Sequence, residues 1–225
     1  MKTLVWPCPA EDGLGEEFAL VAGPEGSQRL LIVPALFEEA NRTRRLLAQT
    51  MRALAVHGIA SVLPDLPGCN ESIVSLERQD LASWRASVDA AAIYFGATRV
   101  LTLRGGAILA PPGLPGWRFE PLSGASALRH LVRARSVAAK EAGRPEQSAE
   151  LMAVGRESGL ELAGYRLGAA MVGDLADADL TEPGTGVATL TLADLGGSAL
   201  WLRSEPGEDA AMAEALAAAV AQGVA

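Results

Sequence analysis

The residues best able to carry out covalent or acid–base chemistry in this sequence are a cysteine, a histidine and two adjacent carboxylates. Cys69 lies in a stretch rich in turn-forming residues, and a thiolate needs less activation than a hydroxyl. His130 could act as a base, and Glu38 with Glu39 could do acid–base work or bind a metal with Asp65. Each has a plainer explanation: a small buried residue in a turn, a helix surface residue, and carboxylates that favour a helix N-terminus.

A second kind of site is predicted where Arg104 is followed by Gly105 and Gly106. Guanidinium groups bind carboxylates and phosphates through paired N–H donors, and consecutive glycines can expose backbone amides. This segment therefore predicts a nest for an anionic small molecule. The loop Leu36–Glu39 follows another apolar run, and we expect it to line the same site.

Alternating strand and helix patterns determine where these residues lie. Short apolar runs bounded by Gly or Pro are typical of strands, whereas apolar residues three and four apart predict helices. This alternation implies right-handed crossovers and a parallel sheet, with sites at the carboxyl ends of the strands. The loops 34–41, 65–75 and 104–106 are therefore expected at one sheet edge. The predicted elements are strands Phe18–Ala22, Leu30–Val33, Ile59–Leu63 and Arg99–Leu103 and helices Ala40–His57 and Asp80–Phe95.

The second half of the chain is less regular. Pro111 and Pro112 remove backbone donors and clash with a preceding helical turn, so any helix after Leu103 is about one turn long. We expect a single domain over residues 1–225, with a small helical lid over residues 124–182. The further predicted elements are strands Trp117–Leu122, Val187–Ala193 and Ala199–Arg203, helices Ser126–Glu141, Glu146–Glu157 and Ala169–Leu180, a strand or lid edge at Leu160–Leu167, and a last helix from Pro206.

Composition and charge argue against several classes of function. The 225 residues are 49% hydrophobic, enough for an ordinary core, and no apolar run approaches the roughly 20 residues of a membrane helix. Nineteen basic against 27 acidic residues give a net charge of -8, which makes nucleic acid a poor partner. Two cysteines cannot form a disulfide framework or a four-ligand zinc site, and we predict no cofactor. The N-terminus lacks a signal-like core, so the expected compartment is the cytoplasm.

Two loops resemble those of a known fold. Residues 65–72 match the Asp-x-x-Gly-x-Gly-x-Ser loop of α/β-hydrolases except for Asn70 at the second glycine, and residues 33–39 lie where that fold has its oxyanion loop. Four ordered segments are also similar to the exosortase A system-associated hydrolase 2 family of that superfamily: Pro34–Arg45, Leu63–Gly68, Leu128–Arg135 and Glu161–Leu167. This resemblance implies a cytoplasmic protein linked to exopolysaccharide production and PEP-CTERM protein sorting, with an ancestry in ester or acyl hydrolysis.

The catalytic triad of such a hydrolase is incomplete in this sequence. In that fold the nucleophile, the acid and the histidine follow one another along the chain, and the nucleophile lies at a turn after a strand. In register with that turn, Arg104 takes the nucleophile position, and a guanidinium is neither nucleophilic nor deprotonated at neutral pH. Asp194 has a plausible place for the acid, but no histidine follows His130.

Three functions are compatible with these residues. The first, which we favour, is a pseudoenzyme that uses Arg104 to bind an anionic or acyl small molecule or a protein of the exopolysaccharide system. The second is a noncanonical ester or thioester hydrolase in which Cys69 or the Glu38–Glu39 pair works with His130. The third is a structural subunit that forms homo-oligomers through an apolar patch.

Overall fold

The centre of the molecule is a mostly parallel sheet flanked by helices, in a computed structural model that describes residues 1–25 and 29–223. The strands are β1 Lys2–Ala10, β2 Gly13–Ala22, β3 Arg29–Val33, β4 Ala60–Pro64, β5 Arg99–Leu103, β6 Gly116–Phe119, β7 Leu160–Leu162, β8 Tyr165–Leu167 and β9 Val187–Leu190. Seven strands lie in the order β1-β2-β4-β3-β5-β6-β9, and β7 with β8 forms a separate hairpin. In the main sheet, β2 pairs antiparallel with β1 and β4, and the other pairs are parallel. The predicted α/β fold class is confirmed.

Helices cover both faces of this sheet. They are α1 Glu38–Val56, α2 Leu81–Tyr94, α3 Gly124–Glu141, α4 Ser148–Ser158, α5 Ala169–Asp177, α6 Leu192–Leu195 and α7 Ala210–Gln222. Side chains of β3 alternate between two cores: Leu31 and Val33 join the core that contains α2 residues, whereas Leu30 and Ile32 join the core that contains α1 and α7 residues. Because both faces are buried, this strand reads as a continuous apolar run. No helix among the described residues combines the length and apolarity needed to cross a bilayer.

The segment 124–182, which we call the insert, lies between β6 and β9 along the chain. Its helices α3, α4 and α5 contact one another, and its β7–β8 hairpin contacts α3. The ring of Tyr165 in this hairpin lies 5.5 Å from the ring of Phe37, centroid to centroid. The insert therefore reaches the loop that follows β3.

The segment after β5 is short, as the prolines predict. Residues Arg104–Leu109 form a 3-10 turn, and Ala110 already has an extended ψ. A Cβ at Gly106 would lie 2.2 Å from the carbonyl oxygen of Pro34, so only glycine fits where this turn meets the loop after β3. The close approach brings the two loops together at the carboxyl edge of the sheet.

Several element boundaries differ from the sequence predictions near the C-terminus. Residues Ala199–Arg203 are not a strand; Leu200–Leu202 form a 3-10 turn, because Leu200 and Trp201 are buried together instead of on alternate faces. The last helix begins at Ala210 and not at Pro206, since the Asp209 side chain accepts a hydrogen bond from the Met212 N–H at 3.0 Å.

Two further differences concern hairpins. The Leu160–Leu167 segment contains two strands, with Ala163 and Gly164 at positive φ in the turn between them. The edge strand β1 had no predicted counterpart, because most of its residues are exposed and Pro7 and Pro9 interrupt the pattern of a strand.

Candidate functional site

The turn after β5 has the backbone geometry of a strained elbow. Its first residue, Arg104, has a φ of 50°, a left-handed value that residues other than glycine rarely adopt. A second unusual residue, Phe37, follows the neighbouring strand β3 and has a φ of 54° and a ψ of -128°. Two strained positions therefore lie at the carboxyl ends of adjacent parallel strands.

The guanidinium of Arg104 is buried, and each of its nitrogens has a partner. Nε and Nη2 donate to the two carboxylate oxygens of Glu39 at 3.0 and 3.1 Å. Nη1 donates to the carbonyl oxygen of Glu120 at 3.1 Å, and the guanidinium carbon lies 4.7 Å from the ring centroid of Trp201. Only 7% of the residue is exposed. Glu39 thus occupies the place that sequence reasoning reserved for an external anion.

The two glycines after Arg104 do not form an open nest. Gly105 and Gly106 are buried, and added Cβ atoms would meet Leu36 at 3.0 Å and Pro34 at 2.2 Å. Contrary to the expectation of exposed amides, these residues serve close packing between two loops.

The two adjacent carboxylates at the start of α1 are each neutralised by an arginine. Glu39 binds Arg104, and Glu38 accepts a hydrogen bond from Arg42 at 2.7 Å. Asp65 is also engaged, because its Oδ1 accepts hydrogen bonds from Arg44 and Asn70. Across residues 1–25 and 29–223, no group of three or more His, Cys, Asp or Glu is placed to hold a metal ion.

Aromatic rings surround the loop after β3. The buried ring of Phe37 lies 5.6 Å from the ring of Trp84 and packs edge-on against Tyr165. The hydroxyl of Tyr165 accepts a hydrogen bond from Asn41 at 3.0 Å. Phe37 therefore joins the sheet edge, α2 and the insert.

Two cavities flank Phe37 and divide the predicted site residues. The larger, of about 640 Å³, is lined by Leu36, Phe37, Glu38, Glu39 and His130 among others. The smaller, of about 150 Å³, shares Leu36 and Phe37 but contains Cys69 instead. Neither cavity is lined by the buried elbow residues Arg104, Gly105 and Gly106. The structure thus separates Cys69 from His130.

Solved structures with a similar arrangement of elements include several hydrolases. A hydrolase from Pseudomonas aeruginosa PA01 aligns with a TM-score of 0.51 and 13% identity over 84% of this chain and 89% of that one. The chain has the α/β-hydrolase fold. A hydrolase from Agrobacterium vitis S4 (TM-score 0.47, 14% identity) and a proline iminopeptidase from Mycobacterium smegmatis (TM-score 0.39, 19% identity) match 61% and 62% of the chain, which spans 60% and 55% of theirs. No family model matches the chain, and no curated protein matches it by sequence.

In the α/β-hydrolase fold, the nucleophile lies on a sharp turn between a strand and a helix, and the histidine base follows the last strands. The corresponding turn of this chain follows β5. Arg104 occupies the elbow with the positive φ of that position. Trp201, beyond β9, contacts Arg104, and its indole N–H can donate a hydrogen bond but cannot accept a proton. Asp194, the sequence candidate for the acid, accepts hydrogen bonds from the N–H and hydroxyl of Thr191, which lower its pKa. Asp194 therefore caps the N-terminus of α6.

Cys69 is protonated at neutral pH. Burial is the main cause, and the nearby Asp65 and Glu17 carboxylates add to it, so that the pKa of Cys69 is raised to about 12. Because His130 lines the other cavity, it does not serve as a base for this thiol.

Three residues of the site were not singled out from the sequence. Trp201 carried a usable signal, since it is an aromatic residue beyond the last predicted crossover, where the fold expects histidine. Glu120 contributes through its carbonyl oxygen and a φ of 48°, which no residue pattern reveals. Tyr165 lies within a segment of the family resemblance, but its contact with Phe37 depends on the tertiary fold.

Proposed function

We propose that this chain is a non-hydrolytic protein of the α/β-hydrolase fold that binds a small anionic or acyl ligand. The observation that carries the proposal is the buried Arg104 at the nucleophile position, bound by Glu39 through both carboxylate oxygens and covered by Trp201. A guanidinium that is always charged cannot attack a carbonyl carbon, and one with every nitrogen engaged cannot receive a substrate oxyanion.

The neighbouring residues support the same function. Acyl transfer in this fold needs a base beside the nucleophile, and the residue that reaches the elbow from the C-terminal segment is an indole. Phe37 has a strained backbone at the place where this fold has its oxyanion loop, but the elbow provides no nucleophile whose intermediate such a loop could stabilise. The backbone of a catalytic site is therefore retained, while its side chains now stabilise the fold.

The biological setting we propose comes from the family resemblance. Its four segments converge on one region: Pro34–Arg45 lines both cavities, Leu128–Arg135 lines the larger, and Leu63–Gly68 and Glu161–Leu167 supply Leu66 and Tyr165 to the smaller. We therefore propose a cytoplasmic role in an exopolysaccharide or exosortase system, with a ligand or a protein of that system as partner. A homo-oligomer stays a compatible form of the protein.

The second candidate is noncanonical ester or thioester hydrolysis. One observation favours it: Glu39 and His130 line the same cavity. The ion pair of Glu39 with Arg104 opposes it, because both carboxylate oxygens already accept hydrogen bonds from the guanidinium.

Turnover assays separate the two candidates. Purified protein is incubated with p-nitrophenyl butyrate and with butyryl-coenzyme A, and the same assays are run on Cys69→Ala, His130→Ala and Arg104→Ala. We expect no variant to differ from buffer, and Cys8→Ala, which removes the other thiol, serves as the matched control. Turnover that survives purification and disappears in Cys69→Ala or His130→Ala would identify a nucleophile or base and overturn the proposal.

A further inference from the structure

The larger cavity, which we call the groove, lies along α3. Its volume of about 640 Å³ lies within the range of small-molecule sites, roughly 300–1,000 Å³. One wall is the face of α3 from Ala127 to Glu141, which spans about 21 Å of helix. A second wall contains Phe37, which precedes α1, and Trp201 and Leu202 from the 3-10 turn after α6. The groove therefore suits a long, thin ligand.

Both walls of the groove are largely apolar. On α3 the residues Leu131, Ala134 and Val137 are three apart and bring aliphatic side chains to the same face. Val137 is 49% exposed and Leu202, across the groove, is 71% exposed. Apolar side chains left in water on two facing walls gain free energy when an apolar ligand covers them.

Two donors on the α3 wall have no partner among the residues that the structure describes. His130 and Arg133 lie one turn apart, and in the described parts of the chain neither side chain takes part in a hydrogen bond or an ion pair. Their neighbours on the same helix differ, because Arg129 donates to Ser126 and Arg135 pairs with Glu146. The unused donors of the groove therefore attract an acceptor, and best an anion.

The carboxylates that line the groove do not cancel the attraction of His130 and Arg133 for an anion. Glu38 is neutralised by Arg42, and Glu39 by Arg104. Glu141 has no such partner within residues 1–25 and 29–223, but it lies eight residues beyond Arg133, about 12 Å along the helix. An anionic head group beside His130 and Arg133 thus meets free donors first.

We propose that the groove binds a single-chain amphiphile with a carboxylate head, such as a medium-chain fatty acid. The head group lies at His130 and Arg133, and the acyl chain lies between α3 and the wall formed by Trp201 and Leu202. This inference rests on the proposed function, because the groove is lined by Glu39 and Trp201, two residues that contact Arg104, and the elbow offers no nucleophile to cleave the ligand.

The alternative occupant is the surface of an anionic membrane. A net charge of -8 opposes approach to an extended anionic surface, whereas a single carboxylate interacts mainly with the nearest donors. The concave shape of the groove also fits an enclosed chain better than a flat bilayer. The test therefore includes vesicles as a separate arm.

Isothermal titration calorimetry of the full chain with dodecanoate, below its micellar concentration, tests the inference. We expect one dodecanoate per chain and no detectable binding of acetate. The double variant H130A/R133A should bind at least tenfold more weakly, and Ala134→Trp, which places a large ring in the groove, should abolish binding. Arg129→Ala is the matched control on the same helix, and thermal melts of each variant verify that it folds.

Each outcome decides the inference. Dodecanoate binding that is lost in Ala134→Trp and kept in Arg129→Ala supports it. Absence of binding, binding that Ala134→Trp does not change, or binding only to phosphatidylglycerol vesicles would overturn it. Hydrolysis of p-nitrophenyl dodecanoate would instead contradict the proposed function, because that assay reports cleavage and the titration reports binding of an acid that has no bond to cleave.

Discussion

Two arginines near one sheet edge have opposite environments. Arg104 in the elbow is 7% exposed, and its nitrogens all have partners within the chain. Arg133 on α3 is exposed and lines the groove without a partner among the described residues. The same side chain is a structural element at one position and an available binding group at the other.

The difference teaches where to look for function in this fold. At the elbow, where a hydrolase has its nucleophile, the side chain of Arg104 is buried and hydrogen-bonded within the chain. The groove retains exposed apolar surface and unpaired donors, the two features that a ligand can use. The experiments below test either the sealed state of the elbow region or its contrast with the groove.

The largest effect is expected at the thiol of Cys69, which lines the smaller cavity with Leu36 and Phe37. Because the pKa of Cys69 is about 12, its alkylation by iodoacetamide at pH 7 should be about a thousandfold slower than for an unperturbed cysteine. Peptide mass spectrometry separates Cys69 from Cys8, and protein denatured in guanidinium chloride provides the fast reference. Labelling of native Cys69 at the reference rate would show that the smaller cavity is open and its thiol reactive, contrary to the account.

The two adjacent glutamates of α1 give the next largest effect. Glu39→Ala leaves the buried Arg104 without its carboxylate and should lower the free energy of unfolding by about 3–5 kcal/mol. Glu38→Ala removes the half-exposed pair with Arg42 and should cost at most about 1 kcal/mol. Urea unfolding measures both. Equal losses would mean that the Arg104 pair does not hold the elbow closed.

Sequence patterns predicted much of this region, for identifiable reasons. The alternation of strands and helices, the proline limit on the segment after β5 and the elbow position of Arg104 all follow from local residue types. The ion pair between Glu39 and Arg104 does not, because it joins residues 65 apart along the chain. An exposed amide nest was expected at Gly105 and Gly106 because local sequence shows the freedom of glycine and not what packs against it.

The separation of Cys69 from His130 was equally beyond local reasoning. Cys69 was expected in a loop at the sheet edge and His130 within a helix of the lid, and local sequence could not show that the two residues line different cavities on either side of Phe37. The turn at Trp201 was predicted as a strand, because its apolar residues match the composition of β-structure while their burial follows from contacts with other elements.

A conservative substitution sharpens the comparison of the two arginines. Arg104→Lys keeps the charge but loses the bidentate fork and the flat stacking on Trp201, so we expect a loss of about 1–2 kcal/mol in the free energy of unfolding. Arg133→Lys on the open wall should change it by less than about 0.5 kcal/mol. Urea unfolding of both variants checks the contrast, which fails if the two substitutions have the same cost.

The smallest effect concerns a buried carboxylate next to the 65–72 loop. Glu17 is 3% exposed and accepts a hydrogen bond from Ser72; burial, with a smaller contribution from Asp65, raises its pKa against the lowering effect of that bond. A raised folded pKa means that its stabilising contribution is complete below the unfolded pKa and is lost as the pH rises through the folded value.

Replacing Glu17 by Gln keeps the acceptor for Ser72 and removes this titration. We therefore expect the stability of Glu17→Gln relative to the unsubstituted protein to be greater at pH 7 than at pH 4, as measured by urea unfolding at the two pH values. Glu16→Gln, at the exposed neighbouring position, is the control. The same relative stability at both pH values would show that Glu17 does not titrate at a raised pKa.

The most direct test of a sealed, non-nucleophilic elbow is the intact mass of the protein after incubation with p-nitrophenyl butyrate. A functional nucleophile attacks the ester carbonyl, releases p-nitrophenolate and becomes acylated, so the butyryl group adds a defined mass to the chain until water hydrolyses it. We expect the mass to stay that of the unmodified chain. A butyryl adduct that forms stoichiometrically on one side chain and then disappears by hydrolysis would contradict the account.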